Sequence, residues 1–393
     1  MIFNTVAYYL LFLFPSAIAF HWARPRWKPV VASLFGAAFF VFFSVTAVGG
    51  VAGAFCLGIF LWESAFSRLY RKGSWLCWLG VFQSIAFLVI FKYWNFLTGL
   101  YFGPQTQNPL FWKGAFLPLG VSFFTFEFIH YAVDRHSGKT EAGSIAEYLS
   151  FILYFPTMVA GPIKRYQDFL PNVREPEQDA LVNWRVGCTR IFTGLAKKFA
   201  IADLLTAFTN HLNTADIVVA QRWVLPIWLL AFGFKIYFDF SGYSDIAIGS
   251  ARLFGIRVPE NFDWPYFRTS IASFWRHWHI SLSRWLTDYV FIPLGGSRVN
   301  AGRIYVNLLV TMLVSGVWHG AGLNFLVWGA WHGVLLVLHR IWTNWRGPAS
   351  PDRPFAKAVL CCAGTFVYVN LGWAFFCMDL PTAATFFHRL LVG

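Results

Sequence analysis

The sequence predicts an all-α, polytopic membrane protein with about ten transmembrane or re-entrant helices. Of the 393 residues, 57% are hydrophobic, 20% are aromatic and only 12% are charged. An average soluble domain carries roughly 25% charged residues, and a disordered chain is poor in apolar ones. A soluble fold could not cover this much apolar surface, so the expected solvent is a lipid bilayer. Each crossing takes about 20 apolar residues, which sets the number of helices.

The basic residues give this membrane protein its expected orientation. The net charge is +13, and the Lys and Arg residues cluster in short loops between apolar stretches. Such clustering is the positive-inside pattern of cytoplasmic loops. In a soluble domain the same surplus would suggest nucleic acid. Here we expect membrane lipids with anionic headgroups as partners and no nucleic acid, with an acidic ligand as the alternative.

The N-terminal third is predicted to contain five spans. No basic residue precedes the first apolar stretch, and Arg24, Arg26 and Lys28 follow it. This charge order predicts an uncleaved first span with an extracytoplasmic N-terminus. The Gly49-Gly50 pair is expected to break a long apolar stretch into a hairpin. The predicted spans lie at about 3–20, at two positions within 30–62, at about 75–98 and at about 115–133.

The rest of the chain is less regular. Residues 145–162 are apolar but contain Pro156 and Pro162, which predict a bent or re-entrant segment packed inside protein. Residues 271–294 combine Trp and Phe with Arg and His, which predicts an interfacial or re-entrant helix lining a cavity. Further spans are expected at about 187–208, 223–250, 304–322, 323–340 and 356–378. Without a repeat or a soluble linker, one membrane domain over 1–393 is the simplest organisation.

Two histidine clusters are candidates for chemistry, because polar groups at membrane depth cost several kcal/mol unless they are paired or hydrated. In the first, a continuous helix would place His279 and Ser283 on one face with Trp275, while His277 points elsewhere. The alternative is that Arg276 and the histidines reach toward headgroups within a belt of interfacial Trp residues.

The second cluster is Ser315–Gly320, which places His319 in an otherwise uncharged apolar span. A neutral imidazole can serve as a general base or a metal ligand. Gly316, Gly320 and Gly322 would let another backbone or a ligand approach closely. The alternative is a hydrogen-bonded core histidine in a glycine-rich helix interface. The related Trp331-His332-Gly333 string is interpreted as structural.

Two acids, Asp239 and Asp245, also lie within an apolar stretch. They are six residues apart, so on a helix they occupy different faces. A proton path, an ion site and pairing with arginines are the three open interpretations, and pairing is the commonest explanation of such acids.

Several segments in order resemble the membrane-bound O-acyltransferase family, most closely its bacterial alginate O-acetyltransferase branch. The resemblance runs over most of the chain, and Phe274–Ser283 is its most specific part. The segments that carry it are Leu119–Phe126, Val159–Ile163, Tyr237–Ala247, Pro259–Phe262, Phe274–Ser283, Asp288-Tyr289, Ile292–Gly296 and Trp318–Gly320.

This resemblance implies an acyltransferase of the bacterial inner membrane with its helices around a central tunnel. His319 matches the family's catalytic histidine, and His279 its second polar residue. The donor would be a cytoplasmic thioester, acetyl-CoA or an acyl carrier, with no permanently bound cofactor or metal. The acceptor would be an extracytoplasmic polysaccharide, as in alginate O-acetylation, or a periplasmic SGNH-type acetyltransferase partner. The residues expected to line the tunnel or contact substrate are Trp318, Trp275, Ser283, Asp239, Arg276 and Asn324.

The chemical properties of these side chains are also consistent with acyl transfer. His319 as general base would contribute about 10²–10⁴-fold, and His279 would orient the acceptor or stabilise the oxyanion. Arg276, Arg284 and Arg298 are expected to face coenzyme A phosphates, or else lipid headgroups.

Three other functions stay open. The chain ends soon after Trp373–Phe376, where longer alginate-branch relatives are expected to continue, so D-alanyl-type transfer to a cell-envelope polymer is the first alternative. A histidine-ligated metalloenzyme would use His277, His279, His319 and His332, but the spacings of diiron histidine boxes are missing from the sequence. A transporter using Asp239 and Asp245 would be expected to contain inverted repeats, and none is evident.

Overall fold

The computed structural model describes residues 2–347 and 354–392, and every regular element in these ranges is helical. This confirms the all-α prediction. The chain divides into two compact units, one formed by Met1–Leu195 with Tyr243–Pro259 and the other by Ala196–Gly242 with Glu260–Gly393. The organisation as one membrane domain over 1–393 stays a prediction.

Seven helices among the described residues are long and apolar enough to cross a membrane. The molecule is therefore a multi-pass membrane protein. A shorter apolar helix, Tyr8–Trp22, corresponds to the first predicted span. The seven candidate spans are Pro25–Ala47, Gly50–Leu69, Leu76–Phe102, Arg222–Leu253, Ala301–His319, Leu323–Arg346 and Phe355–Cys377.

The first ten α-helices of the described residues follow the predicted order of apolar stretches, but the helix at the predicted span of about 115–133, Val121–Ser137, has 17 residues and is not among the seven candidate spans. The stretch predicted at about 187–208 is helical as well and is not a candidate span either. The predicted hairpin break is confirmed at Gly49, whose φ of 87° is a conformation that glycine adopts without strain. The helices are α1 (Phe14–Trp22), α2 (Lys28–Val48), α3 (Gly50–Phe66), α4 (Leu76–Leu88), α5 (Trp94–Phe102), α6 (Val121–Ser137), α7 (Ile145–Ile152), α8 (Phe155–Met158), α9 (Tyr166–Arg174) and α10 (Ala180–Ala196).

The bent segment after α6 is confirmed. With 8 and 4 residues, α7 and α8 are too short to cross a bilayer. Ser144 caps α7 by accepting from the Glu147 N–H, and the Glu147 carboxylate accepts from the Ser144 N–H in return. All four residues of α8 are buried, so this segment packs inside protein.

Nine further α-helices follow among the residues that the structure describes, and α13 passes from the second unit into the first at Tyr243. An aromatic core that includes Trp278, Trp328 and Trp373 holds the second unit together. The helices are α11 (Asp203–Thr209), α12 (Thr214–Val219), α13 (Leu225–Leu253), α14 (Ile271–His277), α15 (Ile280–Leu286), α16 (Ala301–His319), α17 (Leu323–Arg346), α18 (Phe355–Cys377) and α19 (Leu380–Leu391).

Glycines let α16 and α17 pack in backbone contact. A methyl group added at Gly316 would lie 2.2 Å from the Phe325 carbonyl oxygen, and one at Gly329 would lie 2.5 Å from the Met312 carbonyl oxygen. Small residues are what permits such close approach between membrane helices. The prediction that Gly316 admits another backbone is therefore confirmed.

Both acids of α13 are in ion pairs. The Lys198 ammonium lies 2.7 Å from Asp239 Oδ1, and Arg190 Nε contacts Asp245 Oδ1. Pairing with an arginine is thus confirmed for Asp245, whereas the partner of Asp239 is a lysine and not the predicted arginine.

Candidate active site

The helix that sequence periodicity predicts through the Arg-His-Trp-His string is broken. α14 ends at His277, Trp278 is extended, and His279 has left-handed backbone angles of φ 42° and ψ 56° before α15 begins. A left-handed conformation costs a non-glycine residue roughly 1–2 kcal/mol, so surrounding contacts must hold it. The prediction that His279 shares one helical face with Trp275 and Ser283 is therefore wrong.

The break turns the His279 side chain into buried, mostly aromatic surroundings. His279 is 1% exposed, and the Phe240 ring stands perpendicular to the imidazole at 4.6 Å. The Trp318 ring lies 6.2 Å away. His279 is outside the seven candidate spans, and burial lowers its pKa well below the ordinary value, with a further lowering from His319.

His319 ends α16 inside an aromatic cage. Its ring centroid lies 4.8 Å from Trp318, 5.0 Å from Trp328 and 5.1 Å from Phe376. Trp318 contacts both histidines, and His319 is near enough to act electrostatically on His279. The structure thus brings together His279, Trp318 and His319, three of the residues predicted for the site.

A third histidine belongs to the same surroundings. His332 is fully buried, and its ring packs 5.0 Å from Trp328 and 5.1 Å from Trp275. Trp328 therefore contacts both His319 and His332. The sequence favours a structural interpretation of His332, and only the metalloenzyme alternative would have placed it near His319. Its recurrence in a second Trp-His-Gly string was the one signal available.

A cavity of about 440 Å³ lies beside this cluster. Trp275, Arg276 and Ser283, which the sequence predicts to line a tunnel or contact substrate, are among the residues that line this cavity. Ser315, which also lines it, precedes His319 by four residues on α16, a rise of about 6 Å. Arg284 and Asp288 add charge to a mostly apolar wall. The full lining is Trp275, Arg276, Ile280, Leu282, Ser283, Arg284, Leu286, Thr287, Asp288, Phe291, Leu308, Thr311, Met312, Ser315 and Leu336.

Other predicted residues lie outside that lining. Asn324, at the start of α17, donates from Nδ2 to the Phe375 carbonyl oxygen at 3.1 Å and so ties α17 to α18. Asp239 is engaged with Lys198. Arg298, which was expected to face a phosphate with Arg276 and Arg284, does not line this cavity.

The chemical groups in the cluster are imidazoles in an environment of low polarity. Across 2–347 and 354–392, His, Cys, Asp and Glu side chains form no group of three placed to hold a metal ion. Neutral imidazoles near an apolar cavity can exchange protons with a hydroxyl or a thiol held there. The arrangement can therefore carry out general acid–base chemistry on a bound substrate.

Comparison with known proteins identifies the family of the chain. The model of MBOAT, the membrane-bound O-acyltransferase family, matches residues 82–380. The probable alginate O-acetylase AlgI of Azotobacter vinelandii is 35% identical, with 96% of this chain and 75% of that protein covered. A peptidoglycan O-acetyltransferase of Helicobacter pylori is 32% identical, with 90% of this chain and 71% of that protein covered.

A more distant relative is named for the transfer of a different acyl group. The teichoic acid D-alanyltransferase of Bacillus subtilis is 31% identical, with 79% of this chain and 80% of that protein covered. Taken together, the chain belongs to the membrane-bound O-acyltransferase family and is a membrane acyltransferase. The resemblance of the motif segments to this family is thereby confirmed.

Proposed function

We propose that this acyltransferase moves an acetyl group from a cytoplasmic thioester to a hydroxyl acceptor outside the membrane. The observation that carries the proposal is the meeting of His319 with His279 and Trp318, next to a cavity of about 440 Å³. The acceptor is a hydroxyl of an extracytoplasmic polysaccharide, or a periplasmic SGNH-type acetyltransferase that passes the group on.

The reaction is a transfer between sulfur and oxygen. The acceptor hydroxyl oxygen attacks the thioester carbonyl carbon, and a neutral imidazole, which we assign to His319, takes the hydroxyl proton. Collapse of the tetrahedral intermediate breaks the C–S bond, and the proton passes to the leaving thiolate. A general base in this position contributes about 10²–10⁴-fold. The rings of Trp318, Trp328 and Phe376 around His319 limit the access of water and so disfavour hydrolysis of the thioester.

The cavity lined by Trp275 and Ser315 is our candidate for the donor site. Its apolar wall suits an acyl chain or pantetheine arm, and the guanidinium groups of Arg276 and Arg284 suit phosphates. The same two arginines are also suited to lipid headgroups, which is the competing interpretation. Asp239 and Asn324 are assigned supporting positions, since their contacts are with Lys198 and α18.

The relatives guide the choice of acceptor and donor. Those named for alginate and peptidoglycan favour O-acetylation of an exopolysaccharide or cell-envelope polymer with acetyl-CoA as the donor. The B. subtilis relative supports the second candidate, D-alanyl transfer from a carrier protein. The charge order around the first apolar helix favours the inner membrane with the N-terminus outside.

The test is acetyl transfer by His319→Ala in inside-out membrane vesicles supplied with radiolabelled acetyl-CoA. We expect the variant to lose transfer to polysaccharide or partner protein at an unchanged protein level. His388→Ala is the matched control, because His388 is an exposed histidine on α19. Transfer by His319→Ala at the control rate would contradict the assignment. Wild-type activity with a D-alanyl-loaded carrier, and none with acetyl-CoA, would select the second candidate.

A further inference from the structure

Asn261 lies directly beside His279 although the two are 18 residues apart in sequence. The Ile280 N–H donates to the Asn261 carbonyl oxygen at 2.9 Å, and the Asp263 N–H donates to the His277 carbonyl oxygen at 3.0 Å. Residues 261–263 therefore run alongside 277–280, held by backbone hydrogen bonds on both sides of the left-handed residue. Asn261 is 0% exposed, so its side chain is enclosed with the imidazole.

Three groups surround the Asn261 side-chain oxygen. The Ser281 hydroxyl donates to Oδ1 at 2.7 Å, the Ser281 N–H donates at 3.3 Å, and His279 Nδ1 lies at 3.1 Å. A backbone N–H can only donate, so the amide atom facing it is the oxygen and not the nitrogen. An amide oxygen can only accept. His279 Nδ1 must therefore carry a proton in order to make its contact.

The proton on Nδ1 determines what the other ring nitrogen can do. A neutral imidazole has one N–H, so with Nδ1 protonated Nε2 holds a lone pair. Burial and the neighbouring His319 keep the pKa of His279 low and the ring neutral. Among the described residues, no hydrogen-bond donor reaches the buried Nε2. A buried acceptor of this kind is available to a hydroxyl or another N–H that enters the site.

We infer that Asn261 is a positioning residue that fixes the Nδ1–H tautomer of His279, so that His279 Nε2 accepts a hydrogen bond from the reacting hydroxyl. A neutral Nε2 without hydrogen cannot donate to an oxyanion. The sequence left two roles open for His279. We therefore assign it the role of orienting the acceptor, and another group must stabilise the oxyanion. This inference rests on the proposed function, because it assigns a role within the same reaction.

Few groups besides Asn261 face the imidazole of His279. Phe240 from α13 and Trp318 from α16 are its ring contacts. His319, also from α16, is the titratable group that acts on it electrostatically. A carboxylate introduced at position 261 would therefore dominate the local field. A carboxylate next to an imidazole favours the charged imidazolium and raises the pKa of the histidine.

The experiment compares the pH dependence of kcat for acyl transfer in Asn261→Asp, Asn261→Ala and wild type. Asn261→Asp keeps an acceptor for Nδ1–H, so it should remain active at high pH. Its acidic limb should move upward by about one pH unit or more, because more base is needed to keep His279 neutral. Asn261→Ala should lower kcat by about 10–100-fold with the KM for the donor little changed. Asn172→Asp on α9 is the matched control and should leave the profile unmoved.

A direct measurement covers the case in which Asn261→Ala does not fold. NMR of protein carrying ¹⁵N-histidine, with His279 assigned through His279→Gln, should show the Nδ1–H tautomer. An Nε2–H tautomer, or an Asn261→Asp profile that superimposes on wild type, would overturn the inference. If His319→Ala loses acyl transfer and one of these two contradicting results is also found, the proposed function is supported and only this inference is wrong. Full activity of His319→Ala would instead remove the proposed function itself.

Discussion

Substituting Gly329 by Ala should disturb the active site through the packing of α16 against α17. The added methyl would lie 2.5 Å from the Met312 carbonyl oxygen and 3.2 Å from Leu313 Cα. Both neighbours are backbone atoms of α16, so no side-chain rotation can make room. Ordinary contact begins at 3.4 Å, and the two helices must therefore separate locally by about 0.9 Å.

The two helices would separate next to His319. Trp328 precedes Gly329 on α17 and packs 5.0 Å from His319 on α16, so the helix shift changes the cage around the imidazole. A misplacement of about 1 Å in a reacting group can cost on the order of 10²-fold in rate. Overpacking a buried interface costs about 1–3 kcal/mol of stability. We therefore expect a large loss of kcat with a moderate loss of thermal stability.

The assay measures initial rates of acyl transfer in proteoliposomes and thermal unfolding in detergent, both at equal protein content. Gly364→Ala is the matched control, since nothing lies within 4 Å of the methyl it adds to α18. The control should match wild type in both measurements. The packing argument fails if Gly329→Ala transfers acyl groups within about twofold of Gly364→Ala and unfolds at the same temperature.

Three further predictions concern stability and metal content. Lys164→Met removes the partner of the buried Glu127 carboxylate and should lower the free energy of unfolding by about 3–5 kcal/mol. The double variant Lys164→Met/Glu127→Gln should recover most of that loss, and equal melting temperatures for the single and double variants would contradict this prediction. Burial raises the pKa of Glu147, but hydrogen bonds from Arg174 and Ser144 outweigh it and leave the pKa below the ordinary 4.5. The ionised Glu147 therefore stabilises the fold fully above that pH, and this stabilisation is lost as the pH falls through the lower folded-state pKa. The difference in melting temperature between wild type and Glu147→Gln should therefore disappear in acid. A difference that does not change with pH would contradict this prediction. Elemental analysis of purified protein should find no stoichiometric transition metal, and a metal at one equivalent would favour the metalloenzyme alternative.

Much of the fold could be predicted because membrane crossing is a local property of sequence. The lengths of apolar stretches gave the spans, and Gly49 marked the hairpin break at which α3 begins. His319 was identifiable for a related reason, since an imidazole within an uncharged apolar helix is costly unless it is used or paired. These inferences need only the residues within one helix.

The break at His279 could not be predicted, because its cause lies elsewhere in the sequence. The string from Phe274 to Ser283 contains neither Gly nor Pro, and helical periodicity favours a continuous helix there. The left-handed turn is held by Asn261, which binds groups of His279 and Ser281 through one oxygen. The Lys164–Glu127 pair was missed in the same way, since 37 residues separate its members. Contacts between distant segments leave no periodic signal in the chain.

The same break separates His279 from the cavity that we propose as the donor site. A continuous helix would have put His279 in line with Trp275 and Ser283, which both line the cavity. The turn instead places His279 against Phe240 and near Trp318, outside that lining. Of the residues that line the cavity, Ser315 lies on the same helix as His319, four residues or about 6 Å along α16 from it. On the proposed function, a thioester in the cavity reaches His319 along α16, while the acceptor hydroxyl is oriented by His279 from the other segment. On that proposal, strain at one residue gives the two substrates separate approaches to one base.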